Sequence, residues 1–503
     1  MNVYELISIG AYFLLMLAIG FYAYKKATSN TEEFLLGGRK MGAAVTALSA
    51  GAADMSGWLL MGLPGAMYMV GLSASWIAIG LTVGAYLNYL YVAPRLRVYT
   101  EVAKNSITLP VFFENRFNDK SKILKIISSI LILVFFTLYT STGMVAGGRL
   151  FESSFGIDYN IGLIVTSLVV VIYTFLGGFL AVSLTDFVQG AIMVLALVVV
   201  PTVAIIVLGG PVETIHEIEA KGPNYLDLFK GVSVISIFSL LAWGLGYCGQ
   251  PHILVRFMAI DSVKDLIKAR RIGIGWMIFT VGGALLVGLI GIAYISKFDS
   301  IIMIEFDSSK EKAETIFIYF TRVLFHPLIT GFLLSAILAA VMSTISSQLL
   351  VTSSSVTEDI YKAFINKKPS EKEALLVSRL AVLGVAIVAL LLSLTPKDSI
   401  LNLVGNAWAG FGSAFGPVII LCLYWKRMTV AGAVAGMLSG GITVLVWTYA
   451  GLYDSTGIYE MIPAFSLSFL MIIIFSLLTK KPEQEVIDTF KEMEKEMNEK
   501  YRN

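Results

Sequence analysis

The sequence predicts an all-α polytopic membrane protein of about 13 transmembrane helices, with a five-plus-five inverted-repeat core and two discontinuous helices. Three observations carry that prediction. Only 14% of the 503 residues are charged and 57% are hydrophobic, whereas soluble domains carry roughly a quarter charged residues, so this chain cannot dress itself for water. About 13 apolar runs approach the roughly 20 residues that a helix needs to cross the hydrocarbon core. Two of them, the second and the seventh, are broken, and they hold corresponding places in two halves of five spans. That pairing is the sequence pattern of an inverted-repeat transporter with its site near the midplane.

The runs fall at 4–24, 42–69, 71–94, 124–151, 161–181, 187–209, 232–257, 272–296, 328–356, 376–395, 401–425, 429–450 and 461–479. The first has no basic residue before it and no small-residue cleavage site, and it ends in Lys25 and Lys26. It reads as a retained span with its N-terminus outside, not as a signal peptide. An odd number of spans puts the C-terminus in the cytoplasm. The connections carrying Arg39 and Lys40, residues 95–125, 264–271 and 362–372, and Lys426 and Arg427 then all lie inside. Those with Glu152 and Asp158, and residues 213–219 and 299–307, fall outside, as positive-inside topology requires. Five segments follow: 1–41, a first helix and cytoplasmic loop; 42–231 and 232–425, the two repeats; 426–479, two further helices; and 480–503, a charged tail. The tail, with Lys491, Glu492, Glu494, Lys495 and Glu496, reads as a solvated helix without chemistry of its own.

Several classes are excluded. A net charge of +2 leaves no basic patch for nucleic acid. Cys248 and Cys422 lie in apolar runs and there are three histidines, too few for a disulfide framework or a zinc site. Only His252 and His326 lie near spans, and neither has a nucleophile at an informative spacing, so no enzyme is expected. A channel would show a repeated filter. A membrane sensor built on a transporter-like domain stays as the alternative of another class, although no signalling domain accompanies it. No obligate protein partner is evident beyond the lipid bilayer.

The second span is broken at Ala52-Ala53-Asp54-Met55-Ser56-Gly57-Trp58. A charge at the centre of a membrane helix costs about 2.5–3.5 kcal/mol on insertion scales, so Asp54 faces protein, water or an ion. Either it pairs structurally with an Arg or backbone amides, or it serves a site. Unwinding frees the carbonyls of Ala52 and Met55, and a hard cation such as sodium is satisfied by neutral oxygens. In the ninth span Ser343 and Thr344 follow Ala340 by three and four residues and share its helical face, with Ser346 and Ser347 one turn on. These hydroxyls either complete an oxygen cage, or bond back to the preceding turn and pack. The seventh span carries Trp243 and Tyr247 at i and i+4, with Gly244, Gly246, Gly249, Gln250 and Pro251 around them. The pair forms an aromatic wall for a small apolar ring, or is core packing.

The runs Gly37-Gly38-Arg39, AADMSGWLLMGLPG (52–65), WGLGYCGQPHILVRFM (243–258) and AAVMSTISSQLLVTSSSVTEDIY (339–361) resemble the sodium:solute symporter family, and the resemblance extends over nearly the whole chain. It implies a multi-pass transporter of the bacterial cytoplasmic membrane that couples sodium entry to L-proline uptake by alternating access. Another small carboxylate-bearing solute, such as pantothenate, is the rival substrate. It further implies sodium ligands at Ala52, Met55, Ala340, Ser343 and Thr344, with Asp54 important to coupling. Tyr139, Trp243 and Tyr247 are implied around the substrate, with Trp58, Gln250 and Pro251 nearby. A second sodium position would use Asp186 with Ser343, Ser346 and Ser347. Ser347 stands where the family's proline carriers have cysteine, and the number of sodium ions stays open.

Overall fold

The computed structural model describes residues 2–26, 31–396 and 398–502. Among them the chain is helical, and its one β contact is an isolated bridge between Met41 and Ile260. The principal helices are α1 (Val3–Lys26), α2 (Ala43–Asp54), α3 (Leu63–Val70), α4 (Ser75–Leu87), α5 (Ala93–Val102), α6 (Leu109–Phe117), α7 (Ile123–Phe155) and α8 (Tyr159–Leu208). They continue as α9 (Val234–Leu241), α10 (Pro251–Ala259), α11 (Asp265–Phe298), α12 (Pro327–Ser354), α13 (Glu371–Ser393), α14 (Ile400–Tyr424), α15 (Val430–Tyr449), α16 (Met461–Leu478) and α17 (Gln484–Arg502).

Among the described residues ten helices are long and apolar enough to cross a membrane, and the bent pair Val234–Gly249 and Pro251–Ala259 makes an eleventh candidate. Two of these are too long for one crossing. Trp58–Val102 has 45 residues and Tyr159–Leu208 has 50, which at 1.5 Å per residue is roughly 68 Å and 75 Å against a hydrocarbon core of about 30 Å. Each contains a glycine in a backbone conformation that other residues avoid, Gly71 at φ +69° and Gly178 at φ +53°. Divided there, the eleven become thirteen segments. The division at Gly178 comes before the connection expected at 182–186, so Asp186 lies within α8 and is fully buried. Phe34 packs against that break so closely that a Cβ on Gly178 would come within 2.5 Å of its ring.

Both expected discontinuities form. α2 ends at Asp54, Met55 leaves helical geometry (φ −86°, ψ 82°), and the chain resumes through a π-helical turn, Trp58–Gly62, into α3. α9 tightens into a 3₁₀ stretch, Ala242–Gly249, before Gln250 extends (φ −87°, ψ 104°) and Pro251 starts α10. Proline disfavours helical geometry in the residue before it and suits the first helical position, so Gln250-Pro251 sets where the break falls. The start of α2 and the end of α10 lie side by side. Met41 N–H donates to Ala259 O at 3.2 Å, and Asp261 N–H to Met41 O at 3.0 Å. α12 runs through the centre of the bundle, with every residue from 333 to 354 buried.

The tail corrects one expectation. α17 is helical, but it is not a free, solvated helix: Val486, Phe490 and Met493, spaced four and three residues apart on one face, are buried. Phe490 meets the Tyr99 ring edge-on at 6.0 Å, and the Arg116 guanidinium lies 5.3 Å from its ring centre. The charged residues occupy the remaining faces and hid this stripe in a composition-level reading.

Candidate functional site

The break in α2 and the middle of α12 meet in a crowd of oxygens. Ser343 Oγ lies 2.7 Å from the Ala52 carbonyl, 2.7 Å from that of Ala339 and 3.1 Å from that of Ala340. Thr344 Oγ1 lies 3.1 Å from Ala340 O. Ala52 sits in the last turn of α2, where carbonyls have no partner further along the helix. A single hydroxyl proton on Ser343 serves one carbonyl at a time, so acceptors outnumber donors here. Back-bonding to the preceding turn and bridging to the broken helix thus coexist in one residue. Four of the five expected cation residues, Ala52, Ala340, Ser343 and Thr344, are joined by these contacts. Met55 follows in the non-helical link, with its sulfur taking a hydrogen bond from Thr280 Oγ1 at 3.7 Å.

Asp54 is the next junction. The Tyr247 hydroxyl donates to its Oδ2, while Trp58 Nε1 and the Tyr139 hydroxyl donate to its main-chain carbonyl at 3.3 Å and 3.5 Å. Three of the six residues expected around a substrate therefore converge on Asp54. Its Oδ1 is buried without a hydrogen-bond partner, and no lysine or arginine pairs with it among the described residues. A cavity of about 30 Å³ lies beside it, walled also by Asn88, Tyr89 and Trp276.

Trp243 and Tyr247 do not form one wall. Four residues along an α-helix bring side chains within about 40° of each other, but along a 3₁₀ stretch, at three residues per turn, they diverge by about 120°. Trp243 stacks on Tyr459 (5.4 Å, 13° between planes) and lines a cavity of about 240 Å³ with Asn402, Tyr459 and Glu460. Tyr247 turns to Asp54 and meets Trp408 edge-on at 5.1 Å. Trp408, on α14, connects the two by donating from its indole to the Trp243 carbonyl at 2.8 Å and accepting Gln250 Nε2 on its own carbonyl at 3.1 Å. α14 comes this close because Gly412 and Gly246 face each other: a Cβ on Gly412 would lie 2.8 Å from Gly246 Cα. Pro251 is buried at the start of α10.

Asp186, expected at a second sodium position with Ser346 and Ser347, shares a guanidinium with Ser347. It accepts from Ser49 Oγ at 2.7 Å and pairs with Arg256 at 3.2 Å, both partners of the ion pair being fully buried. The same guanidinium nitrogen reaches Ser347 Oγ at 2.5 Å, and Ser346 donates to Ser343 O at 3.0 Å. The positive charge beside Asp186 and Ser347 is thus the protein's own. Arg256, Trp408, Asn88 and Tyr459 escaped the sequence reading. Arg256 carried a usable signal, an arginine inside the apolar run 232–257. Trp408 sits in a glycine-rich run, 405–416, and only packing shows what it faces.

The model of the sodium:solute symporter family matches residues 34–440. Over 495 residues the chain is 60% identical to the osmoregulated proline transporter OpuE of Bacillus subtilis (strain 168), covering 98% of this chain and 99% of that protein. It is 57% identical over 484 residues to the sodium/proline symporter of Staphylococcus aureus (strain JH9), covering 95% and 93%. Among solved structures, a Na⁺-coupled sialic acid symporter in a substrate-bound outward-open state superposes with a TM-score of 0.76 at 18% identity, covering 96% of this chain and 99% of that one. A nucleobase-cation-symport-1 family transporter in a closed conformation does so with a TM-score of 0.55 at 12% identity, covering 93% and 99%. These two likenesses speak for the fold alone.

Proposed function

The chain belongs to the sodium:solute symporter family, transporters and not enzymes, and on that premise we propose how it couples inward sodium movement to uptake of L-proline by alternating access. The observation that carries the mechanism is the oxygen cluster joining α2 to α12 through Ser343 and Ala52. Sodium is held by the carbonyls of Ala52, Met55 and Ala340 and the hydroxyls of Ser343 and Thr344, neutral oxygens suited to a hard cation. Its ligands come from two helices whose separation changes during the cycle, so sodium binds first and sets the distance between them. Asp54 is the coupling element. It follows Ala52 by two residues and reaches Tyr247 of the other broken helix, so a shift at the sodium cluster is felt where proline binds.

Proline takes the space between the breaks, bounded by Trp58, Tyr139, Trp243, Tyr247, Gln250 and Pro251, with its carboxylate towards the start of α10. Residues 42–231 and 232–425 serve as the two inverted repeats. The molecule sits in the bacterial cytoplasmic membrane with its N-terminus outside and α17 in the cytoplasm, and the cavity beside Trp243 opens to the outside. One sodium accompanies each proline, because Arg256 already neutralises Asp186 at the second position. Proline is neutral overall at pH 7, so each cycle moves one charge, worth about 2.3 kcal/mol per 100 mV of membrane potential.

Uptake of labelled proline by the purified protein in liposomes tests this reading. It should require an inward sodium gradient and respond to imposed voltage; sodium-independent, electroneutral uptake would remove the mechanism. Reporter fusions after Lys372 and after Lys481 should both report cytoplasm, and an outside signal at either would overturn the orientation.

A further inference from the structure

Asp54 is secured at one carboxylate oxygen. Oδ2 accepts from the Tyr247 hydroxyl, whereas Oδ1 is buried without a hydrogen-bond partner, and the residue lines the cavity of about 30 Å³. Two other residues on that wall repeat the pattern. Asn88 Oδ1 and the Tyr89 hydroxyl are also buried without partners, in residues 1% and 7% exposed.

Two features of the third span bring them there. Gly80, Gly84 and Asn88 recur every four residues and share one helical face, and small residues at that spacing let backbones approach closely. A Cβ on Gly84 would collide with the Gly244 carbonyl oxygen, and one on Gly80 with that of Leu241. α4 therefore lies against the 3₁₀ stretch, and Asn88 Nδ2 donates to the Tyr247 carbonyl at 3.1 Å. Beyond it, Pro94 has no N–H to give to the Leu90 carbonyl, and the helix widens into a π turn, Asn88–Val92, closed by Ala93 N–H on Asn88 O. Single π turns inside helices frequently mark functional sites. This one sets two neighbours in sequence on the same cavity. Gly273 of α11 leaves room for the phenol, since a Cβ there would lie 3.0 Å from the Tyr89 hydroxyl.

The three unpartnered atoms match one water molecule. Asp54 Oδ1 and Asn88 Oδ1 accept and the phenol donates, while a water gives two hydrogens and accepts one. Buried waters make about three such bonds, and a cavity of about 30 Å³ exceeds the roughly 10–15 Å³ that one water needs. A sodium ion in that place would leave the phenol hydrogen unused.

We propose that Asn88 and Tyr89 are positioning residues for Asp54, holding its Oδ1 through an ordered water while Asn88 also holds the Tyr247 carbonyl. The carboxylate is then fixed at both oxygens, and a shift of α2 at Ala52 passes undiminished to Tyr247. Held by Tyr247 alone, it would turn about its own bonds and lose part of that shift. The inference rests on the reading of Asp54 as the coupling element.

The test is the linkage factor by which saturating sodium raises proline affinity, measured by equilibrium binding to the purified full chain. Tyr89→Phe removes one hydroxyl and should lower this factor roughly fivefold, the size of one neutral hydrogen bond. The affinity for each ligand without the other, and the melting temperature, should stay near the parent's. Asn88→Ala should lower the factor at least as far. Because both residues act through one water, Tyr89→Phe introduced into Asn88→Ala should change the factor by less than about twofold.

An unchanged factor in Tyr89→Phe, or a second full loss in the double variant, would overturn the proposal. Fewer sodium ions bound at saturation by Asn88→Ala than by the parent would make the cavity a cation site and overturn the water. Should Asn88→Ala fail to fold, Tyr89→Phe decides alone. A parent without linkage would sink the transport reading, whereas a parent whose linkage survives Tyr89→Phe intact sinks this proposal only.

Discussion

Ser343→Ala and Thr344→Val keep nearly the same volume and remove one oxygen each. The Ser343 hydroxyl stands 2.7 Å from the Ala52 carbonyl of the broken helix, so it bridges α2 and α12 and, on the proposed reading, also ligates sodium. An interaction between a polar group and a charge is worth about 1.5–3 kcal/mol, and each 1.4 kcal/mol is a factor of ten. The sodium concentration for half-maximal proline uptake should therefore rise roughly 10- to 150-fold in each variant. The two differ without sodium. Ser343→Ala also strands the Ala52 carbonyl and should lower stability by about 1–3 kcal/mol, whereas Thr344, which bonds only within its own helix, should leave melting almost unchanged. Proline affinity should fall only through linkage and recover in part at saturating sodium. The assay is initial-rate uptake in proteoliposomes over a sodium series, with thermal melting in sodium-free buffer. Half-maximal sodium within about twofold of the parent in both variants would refute the site.

The aromatic pair should now separate in phenotype, because the two rings occupy different surroundings. Trp243→Ala should weaken equilibrium proline binding roughly tenfold with sodium binding alone unchanged, while Tyr247→Phe, which strips Asp54 of its hydroxyl donor, should weaken both by roughly tenfold. Outside the spans, burial pushes the Glu314 carboxyl up to about 7, against the pull of the Ile400 and Leu401 amides and of Arg149. The native state then holds more protons than the unfolded chain above the ordinary glutamate range, so this group's contribution to stability falls as pH rises towards 7. Melting temperatures across that window should slope downward, and Glu314→Gln should flatten the slope. For the tail, Phe490→Asp should free α17. Losing about 2 kcal/mol of burial makes trypsin cleavage at Lys491 and Lys495 roughly 30-fold faster, with the spans intact on melting.

How much of this could be read from the chain divides along a physical line. Membrane residence, the all-helical architecture and the two breaks are local properties: twenty apolar residues, a Gln-Pro step, glycines and a carboxylate in mid-helix leave few alternatives in a solvent that cannot satisfy a free backbone. Ser343 and Thr344 were legible for the same reason, since helical spacing alone puts them on the face of Ala340. What the sequence could not hold was whatever depended on helix type or on contacts between distant segments. The i, i+4 spacing of Trp243 and Tyr247 means one wall only in an α-helix, and packing against α14 through facing glycines accompanies a 3₁₀ stretch instead. Asp186 and Arg256 are 70 positions apart, and α17 shows its docked face only when Tyr99 and Arg116 lie beneath it. A buried charge announces that it needs a partner, but which partner is decided by the tertiary structure, because electrostatic and packing energies depend on distances that a sequence does not contain.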